Sequence, residues 1–400
     1  MTRDGNRLTS WRPSFWRGVF YLLLATGLPL VAIRYSQGLG RVTNLSDSFP
    51  WGLWIGFDLL CGVGLAAGGF AITAAVYIFH LKRFQPIVRP TVLTAFLGYA
   101  LVIVALLLDL GKPWNIWRPI VMWNPHSVMF EVAWCVMLYT TVLLLELSGM
   151  IFERLGWQRA AHVQHAATIP LVLLGVLLST LHQSSLGALY LIAPTKLHAL
   201  WYTAALPWIF WTSAICAGLA MVIVESQLSA RAFGRHLEMP LLTDISRALL
   251  VGLGVFAVFR IEDLVGRGAL HLAFQPTYEA AMFHLEFALG VVLPFALLLS
   301  PKVRSNSRGL YAAALLVVLG FVAHRLNVSV TGLEGASGGH YVPAWSEVAI
   351  SMMLVAIGFA VFGLAVRYLP VYPVAAAEGA PAPAVRPPAP RPGLVAGRAG

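Results

Sequence analysis

FPWGLWIGFDLLCGVGLAAGGFA, residues 49–71, is an apolar run with one carboxylate, Asp58, placed inside it. About 20 mainly apolar residues suffice to cross a bilayer as a helix. A charge within the hydrocarbon costs a few kcal/mol on insertion scales, so a group placed there is a functional candidate by default. Asp58 lies about 10 Å below the end of the run at 1.5 Å per residue. Gly52/Gly56 and Gly64/Gly68 form small-xxx-small pairs, which let a neighbouring helix approach closely. The stretch therefore reads as a membrane helix buried in a bundle, with Asp58 facing inward.

The rest of the chain repeats the pattern. Ten segments are long and apolar enough to span: 15–35, 51–79, 91–110, 126–149, 163–182, 199–224, 242–263, 277–299, 308–328 and 345–368. The 400 residues are 58% hydrophobic and 11% charged, with a mean hydropathy of +0.77. A soluble domain carries roughly 25% charged residues, so a large aqueous catalytic domain is excluded. No connection is long enough to hide one. The fold class expected is an all-α integral membrane protein over residues 1–372, followed by a Pro/Ala-rich stretch, 373–400, that reads as a disordered cytoplasmic tail. The first apolar segment is longer than a signal-peptide core and lacks an Ala-x-Ala-like site, so a retained helix is expected.

The net charge of +10 is a topology signal. Nucleic-acid binding needs a basic face or stripe, whereas here Lys and Arg fall in short groups between apolar runs. Of the 27 basic residues, 19 collect on one side: Arg3, Arg7, Arg12, Arg17, Lys82, Arg83, Arg89, Arg154, Arg159, Arg231, Arg235, Arg247, Lys302, Arg304, Arg308, Arg367, Arg386, Arg391 and Arg398. The positive-inside rule makes that side cytoplasmic and places both termini there. Asp47, Asp109, His126, His182, His198, Glu262, Asp263, His271, Glu279, Glu334, His340 and Glu347 sit at or near the outer ends. Chemistry or docking is expected on that face.

Glu131, just after NPHS (124–127), and His182, in HQSS (182–185), lie at a depth similar to Asp58. Carboxyls and imidazoles exchange protons with a two-electron, two-proton carrier in lipid, and a quinone is the natural such carrier. Trp51, Trp54, Trp114, Trp117, Trp123 and Trp134 share the outer side, as ring walls or as the aromatic belt of any interface. In the second half Arg260, Glu262, Asp263, His284, Glu286, Arg325 and Glu347 suggest an ion-pair network that carries protons or holds helices in register. Cys61, Cys135 and Cys216 each stand alone, so no CxxC pair encodes a cluster or a structural zinc. His80, His162 and His165 share the inner end and raise a b-type haem as a rival, against interfacial, solvated histidines.

These segments resemble the NrfD/PsrC family of quinone-interacting membrane subunits, and within it the hydrogenase-linked HybB branch most, with the sulfur-cycle DsrP branch beside it. The stretches that carry the resemblance are residues 49–71 followed by AVYIF (75–79), IVRPTVL (87–93), SVMFE (127–131), IFERLGW (151–157) and LHQSSLGAL (181–189). Weaker matches are RIEDL (260–264), LAFQPTYEAAMFHLE (272–286), HRLNVS (324–329) and YVPAWSEVAISM (341–352). The resemblance implies ten transmembrane helices, with spans 2–5 and 6–9 forming two four-helix bundles flanked by the first and last. It implies a bacterial inner-membrane subunit that exchanges electrons between an outer-face, ferredoxin-like iron-sulfur partner, with its nickel-iron hydrogenase or sulfur-cycle catalytic subunits, and menaquinone or ubiquinone. It implies no haem in this chain. Asp58, Glu131, His182, Gln183 and Trp54 are then the expected quinone and proton-exchange residues, and Arg260, Glu262, Glu286 and Arg325 a proton route. His126 and the tail fall outside the family pattern. The rivals are a haem-b cytochrome and a proton- or ion-coupled transporter; the transporter predicts interrupted helices paired across the two halves.

Overall fold

Residues 15–372 are described by a computed structural model. The expected tail from residue 373, and Arg3, Arg7 and Arg12, lie outside the described residues.

The described chain is helical, without strands. Ten long helices follow one another: α1 (Phe15–Gln37), α2 (Trp54–Tyr77), α3 (Lys82–Asp109), α4 (Val128–Leu155), α5 (Thr168–Leu189), α6 (Leu206–Phe233), α7 (Met239–Gly266), α8 (Tyr278–Leu299), α9 (Ser307–Ser337) and α10 (Trp345–Tyr368). Among the described residues nine of them, all but α7, are long and apolar enough to cross a membrane. The protein is a multi-pass membrane protein. Helix is the expected answer in hydrocarbon, because each backbone N–H and C=O must be satisfied within its own segment.

The ends have local causes. Ser127 Oγ accepts from Phe130 N at the start of α4, and Thr277 Oγ1 from Ala280 N at the start of α8. Pro207 and Pro240 stand in the first turns of α6 and α7, where a missing N–H costs nothing. Gly156 and Gly234 end α4 and α6 with φ of 72° and 62°, a conformation open to glycine. The sixth helix begins seven residues later than the apolar pattern suggests. Residues 199–205 form a turn ahead of Pro207, within which Leu200 and Trp201 are inaccessible to solvent.

Burial ranks the helices. The most apolar window of α2 is 78% buried, against 11% for α1 and 22% for α10. So α2 is central, and α1 and α10 form a flank, packed on each other, with α10 also against α3. α2 packs on α3, α5 and α6; α4 packs on α3 and α5. α6 packs on α7 and α9, and the C-terminal half of α8 packs on α7 and α9. Where α2 meets α6, a Cβ on Gly68 would stand 2.6 Å from the Gly218 carbonyl oxygen, and one on Gly218 closer still to the Gly68 amide. Only glycine at both positions allows that approach.

Three helices contain a π-helical turn: Trp54–Leu59 in α2, Ala288–Val292 in α8 and Asn327–Thr331 in α9. Such turns cluster at functional sites. α2 also loosens at 66–67, where Ala67 N bonds to Gly64 O rather than to Val63 O. α6, its counterpart in the second half, runs unbroken, so the paired interruption that a transporter predicts is missing for this pair.

Candidate functional site

The first half brings its polar groups together differently from the single layer expected. Asp58, on the π-helical turn of α2, faces the last helix, where Ser351 Oγ donates to its Oδ2 at 2.5 Å. Trp54, on the same turn, donates from Nε1 to Glu347 O at 3.2 Å. Asp109 lies within coulombic reach of Asp58, and Glu347 within reach of Asp109. Arg34 of α1 donates to Leu108 O at 2.6 Å and to Leu110 O, closing the end of α3 beside these acids. In the loop before α10, Tyr341 donates its hydroxyl to Glu347 Oε2 and accepts from Leu53 N. Burial, with the Glu347 bond adding to it, holds that phenol above its ordinary value, so it remains a donor.

His182 occupies a second environment. It is fully buried on α5, its ring stands edge-on to Tyr99 at 5.4 Å, and neither ring nitrogen has a hydrogen-bond partner. The Tyr99 and Tyr139 hydroxyls and Ser179 Oγ are likewise buried without partners, and the two tyrosine rings meet edge-on at 4.7 Å. Groups of this kind take up ordered water or a moving proton. Gln183, the next residue, has a separate task. Its Nε2 donates to Val63 O at 3.1 Å, the carbonyl freed where α2 loosens. Glu131 is exposed near the start of α4 and accepts from Ser185 Oγ at 2.5 Å.

Between these layers and the surface, at the end of the molecule where α2 begins, lies a cavity of about 250 Å³. Phe49, Trp51, Tyr190, Ile192 and Lys196 are among its walls. Trp51 stands edge-on to Tyr190 at 5.4 Å, and the buried Tyr190 hydroxyl has no partner. None of Asp58, Trp54, Glu131, His182 and Gln183 lines it. Along α5, Ser185 with its bonded Glu131 lies about 7.5 Å inward of Tyr190, and His182 about 12 Å inward.

The second half does form a network. The Glu286 carboxylate accepts from Trp201 Nε1 at 3.1 and 3.2 Å and from Asn327 Nδ2 at 2.6 Å, and His324 Nδ1 stands 3.4 Å away. Arg260, fully buried, donates to Leu200 O at 2.9 Å and lies 3.8 Å from Asp263. Arg325 donates to Phe210 O and Ser213 Oγ, both at 3.0 Å, and stacks over the Phe210 ring. Arg260, Glu286 and His324 border a small cavity of about 30 Å³, room for a water. Glu262 does not belong here. It is exposed on the groove formed by α6, α7 and α8, and Asp263, one residue on, takes the place expected for it, because a one-residue step turns a helix by 100°. His284 is exposed as well. His198, in the turn before α6, accepts from Leu200 N through Nδ1 at 3.2 Å, and burial pushes its imidazole below the ordinary value.

Several of these residues carry no mark, or an overlooked one, in the sequence. Glu146 of α4 and Glu225 of α6 are carboxylates within long helices; the rule that singles out Asp58 applies equally to Glu146. Tyr99, Tyr139, Tyr190 and Trp201 have no such signal, since an aromatic in an apolar helix looks like packing. A bis-histidine haem does not fit the residues. Among the described histidines only His182 and His324 are buried; one packs on Tyr99 and the other on Glu286, while His80, His162 and His165 are exposed. The three cysteines are buried and free.

The family described as "Polysulphide reductase, NrfD" matches residues 41–334. A protein of Nitratidesulfovibrio vulgaris is 40% identical over 362 residues, covering 88% of this chain and 92% of its own. The "Probable Ni/Fe-hydrogenase 2 b-type cytochrome subunit" of Escherichia coli (strain K12) is 36% identical over 361 residues, 89% of this chain and 92% of its own. The "Menaquinone reductase, integral membrane subunit" of Nitratidesulfovibrio vulgaris is 29% identical over 393 residues, 90% of this chain and 91% of its own.

Proposed function

The chain belongs to the NrfD family, and from that membership we propose that it is the quinone-reactive membrane subunit of a respiratory oxidoreductase of the bacterial inner membrane. It passes electrons between an outer-face iron-sulfur partner, with its hydrogenase or sulfur-cycle catalytic subunits, and menaquinone or ubiquinone. Its ten long helices cross the membrane with both termini in the cytoplasm, α2–α5 and α6–α9 each forming a four-helix bundle. α7 is the tenth crossing: Val251, Val255, Val258, Ile261 and Val265 make an exposed apolar stripe along it, the face a lipid would cover.

The observation that carries this reading is the outer cavity at Trp51 and Tyr190. It is concave, largely apolar, and has a few polar groups able to orient one ring. The Lys196 ammonium is a donor for a quinone carbonyl, and the Trp51 and Tyr190 rings are walls for the quinone ring. Reducing the quinone to quinol consumes two electrons from the partner and two protons. Glu131 through Ser185, and His182 with the tyrosine layer, are the groups of the first bundle suited to deliver protons; Asp58 with Ser351 serves on the α10 side. Glu286, Arg260 and Arg325 are a candidate proton route in the second bundle, and Glu262 is set aside from it.

The test is quinone turnover by the intact complex. Lys196→Met should assemble normally and raise KM for quinone about tenfold, the worth of one charge-assisted hydrogen bond of about 1.4 kcal/mol. Asp58→Asn and His182→Ala should assemble and lose donor-linked quinone reduction. Wild-type kinetics in Lys196→Met would remove the cavity from the proposal; wild-type turnover in both other variants would remove the proton groups.

A further inference from the structure

We infer that the cleft between the C-terminal ends of α4 and α10, at the membrane end opposite the quinone cavity, binds the phosphates of an anionic phospholipid, preferring one with two phosphates over a zwitterionic lipid. The cleft holds about 530 Å³ and is lined by Glu153, Arg154, Arg367, Tyr368, Leu369 and Pro370. Its wall is fixed by a residue outside that lining. Arg89 of α3 donates from Nη2 to Glu153 Oε1 at 2.7 Å and from Nη1 to Pro370 O at 3.0 Å.

That clamp uses up the one carboxylate present. Arg154 and Arg367 are exposed and, among the described residues, make no ion pair or hydrogen bond; Arg367 only passes 5.7 Å from the ring of its neighbour Tyr368. Arg89, Arg154 and Arg367 against Glu153 leave a charge of +2 around the cleft. Two guanidinium forks with no acceptor from the protein suit phosphate oxygens, which they engage in pairs. The flanks supply the other half of a lipid site. Leu155, Trp157, Leu364 and Tyr368 are all exposed, so an apolar surface for acyl chains runs alongside the two guanidinium groups. Basic pockets between membrane helices at this level recognise anionic headgroups.

The competing account is that Arg154 and Arg367, each in the last turn of its helix, only offset the negative end of the helix dipole. It predicts stability without lipid and no lipid preference. The two accounts part in one experiment on the full complex, exchanged into nanodiscs of phosphatidylcholine doped with cardiolipin, then released and read by native mass spectrometry. Wild type should retain cardiolipin, and Arg154→Gln/Arg367→Gln should retain about tenfold less. Arg308→Gln, on the same face but outside the cleft, should retain as much as wild type. In lipid-free detergent the double variant should melt with wild type. Equal retention by the double variant, no preference over phosphatidylcholine, or a lower melting temperature without lipid would each overturn the assignment.

Discussion

Glu286 is the residue on which most of the second half converges. Two neutral donors and an imidazole surround its carboxylate, and Arg260 and Arg325 share its buried surroundings. Removing one partner of a buried charge pair costs about 3–5 kcal/mol, because the other is left uncompensated. Glu286→Gln should therefore sharply lower the yield of folded protein, and Arg260→Met added to it should restore part of that yield; fluorescence-detected size exclusion reads both. If the double variant is worse than the single, the two charges are not compensating one another. His198 sets a pH dependence. Its native value is depressed, so its contribution to stability is full above the unfolded value of about 6.5 and is lost as the pH falls below it. Thermal melts between pH 7.5 and 5 should show that acid limb, and His198→Phe should flatten it. Asp58, Glu286, Arg260 and Arg325 were legible in the sequence because a charge within an apolar run is costly enough to stand out from its neighbours. Their partners were not. Ser351 and Trp201 are ordinary residue types, and only packing makes Ser351 the donor to Asp58 and Trp201 the donor to Glu286.

At the scale of elements, α2 shows how a helix can be found easily and its shape missed. Its hydropathy marks it as a span, and its small-xxx-small glycine pairs point to close approach. Gly68 does abut Gly218, Gly64 the Phe321 ring and Gly56 Ser329. The π-helical turn at 54–59 and the loosening at 66–67 leave no trace in hydropathy, because both are responses to neighbours. Gln183 answers the second by bonding Val63 O. Gln183→Leu should cost about 1–3 kcal/mol by stranding that carbonyl. Gly68→Ala should cost at least as much by pushing α6 away, overpacking typically costing about 1–3 kcal/mol. Gly18→Ala, with open space around it, should be silent. Melting temperatures of the three in one detergent rank them; a silent Gly68→Ala would mean that the α2–α6 contact has room for a methyl group.

At the scale of the whole molecule α7 decides the number of crossings. Among the long helices it alone falls short of the apolar criterion, with Asp244, Arg247, Arg260, Glu262 and Asp263 along its length. Arg260 is turned inward, Asp263 is tied to Arg267, and Asp244 pairs with Arg83 and Arg247. Cysteines placed at His236 and Gly266, in a chain whose three buried cysteines are replaced, give a direct test. A membrane-impermeant thiol reagent should label Gly266→Cys in intact cells and His236→Cys only after lysis. Labelling of both from outside would leave α7 short of crossing. Composition predicted a polytopic helical protein because lipid permits little else. That the cavity and the cleft lie at opposite ends of the molecule had to wait for the fold, since residues from distant helices build each.

The bond between Asp58 and Ser351 spans 293 residues of chain, and Trp54 reaches Glu347 over the same separation. At synthesis rates of about 5–20 residues per second, α2 waits about 15–60 s in the membrane before α10 exists to satisfy it. During that interval its carboxylate and indole need a temporary host, whether water, the insertion machinery or another chain. A ribosome that stops short of α10 releases a chain whose central helix still carries a carboxyl group and an indole N–H without the partners that the whole fold gives them.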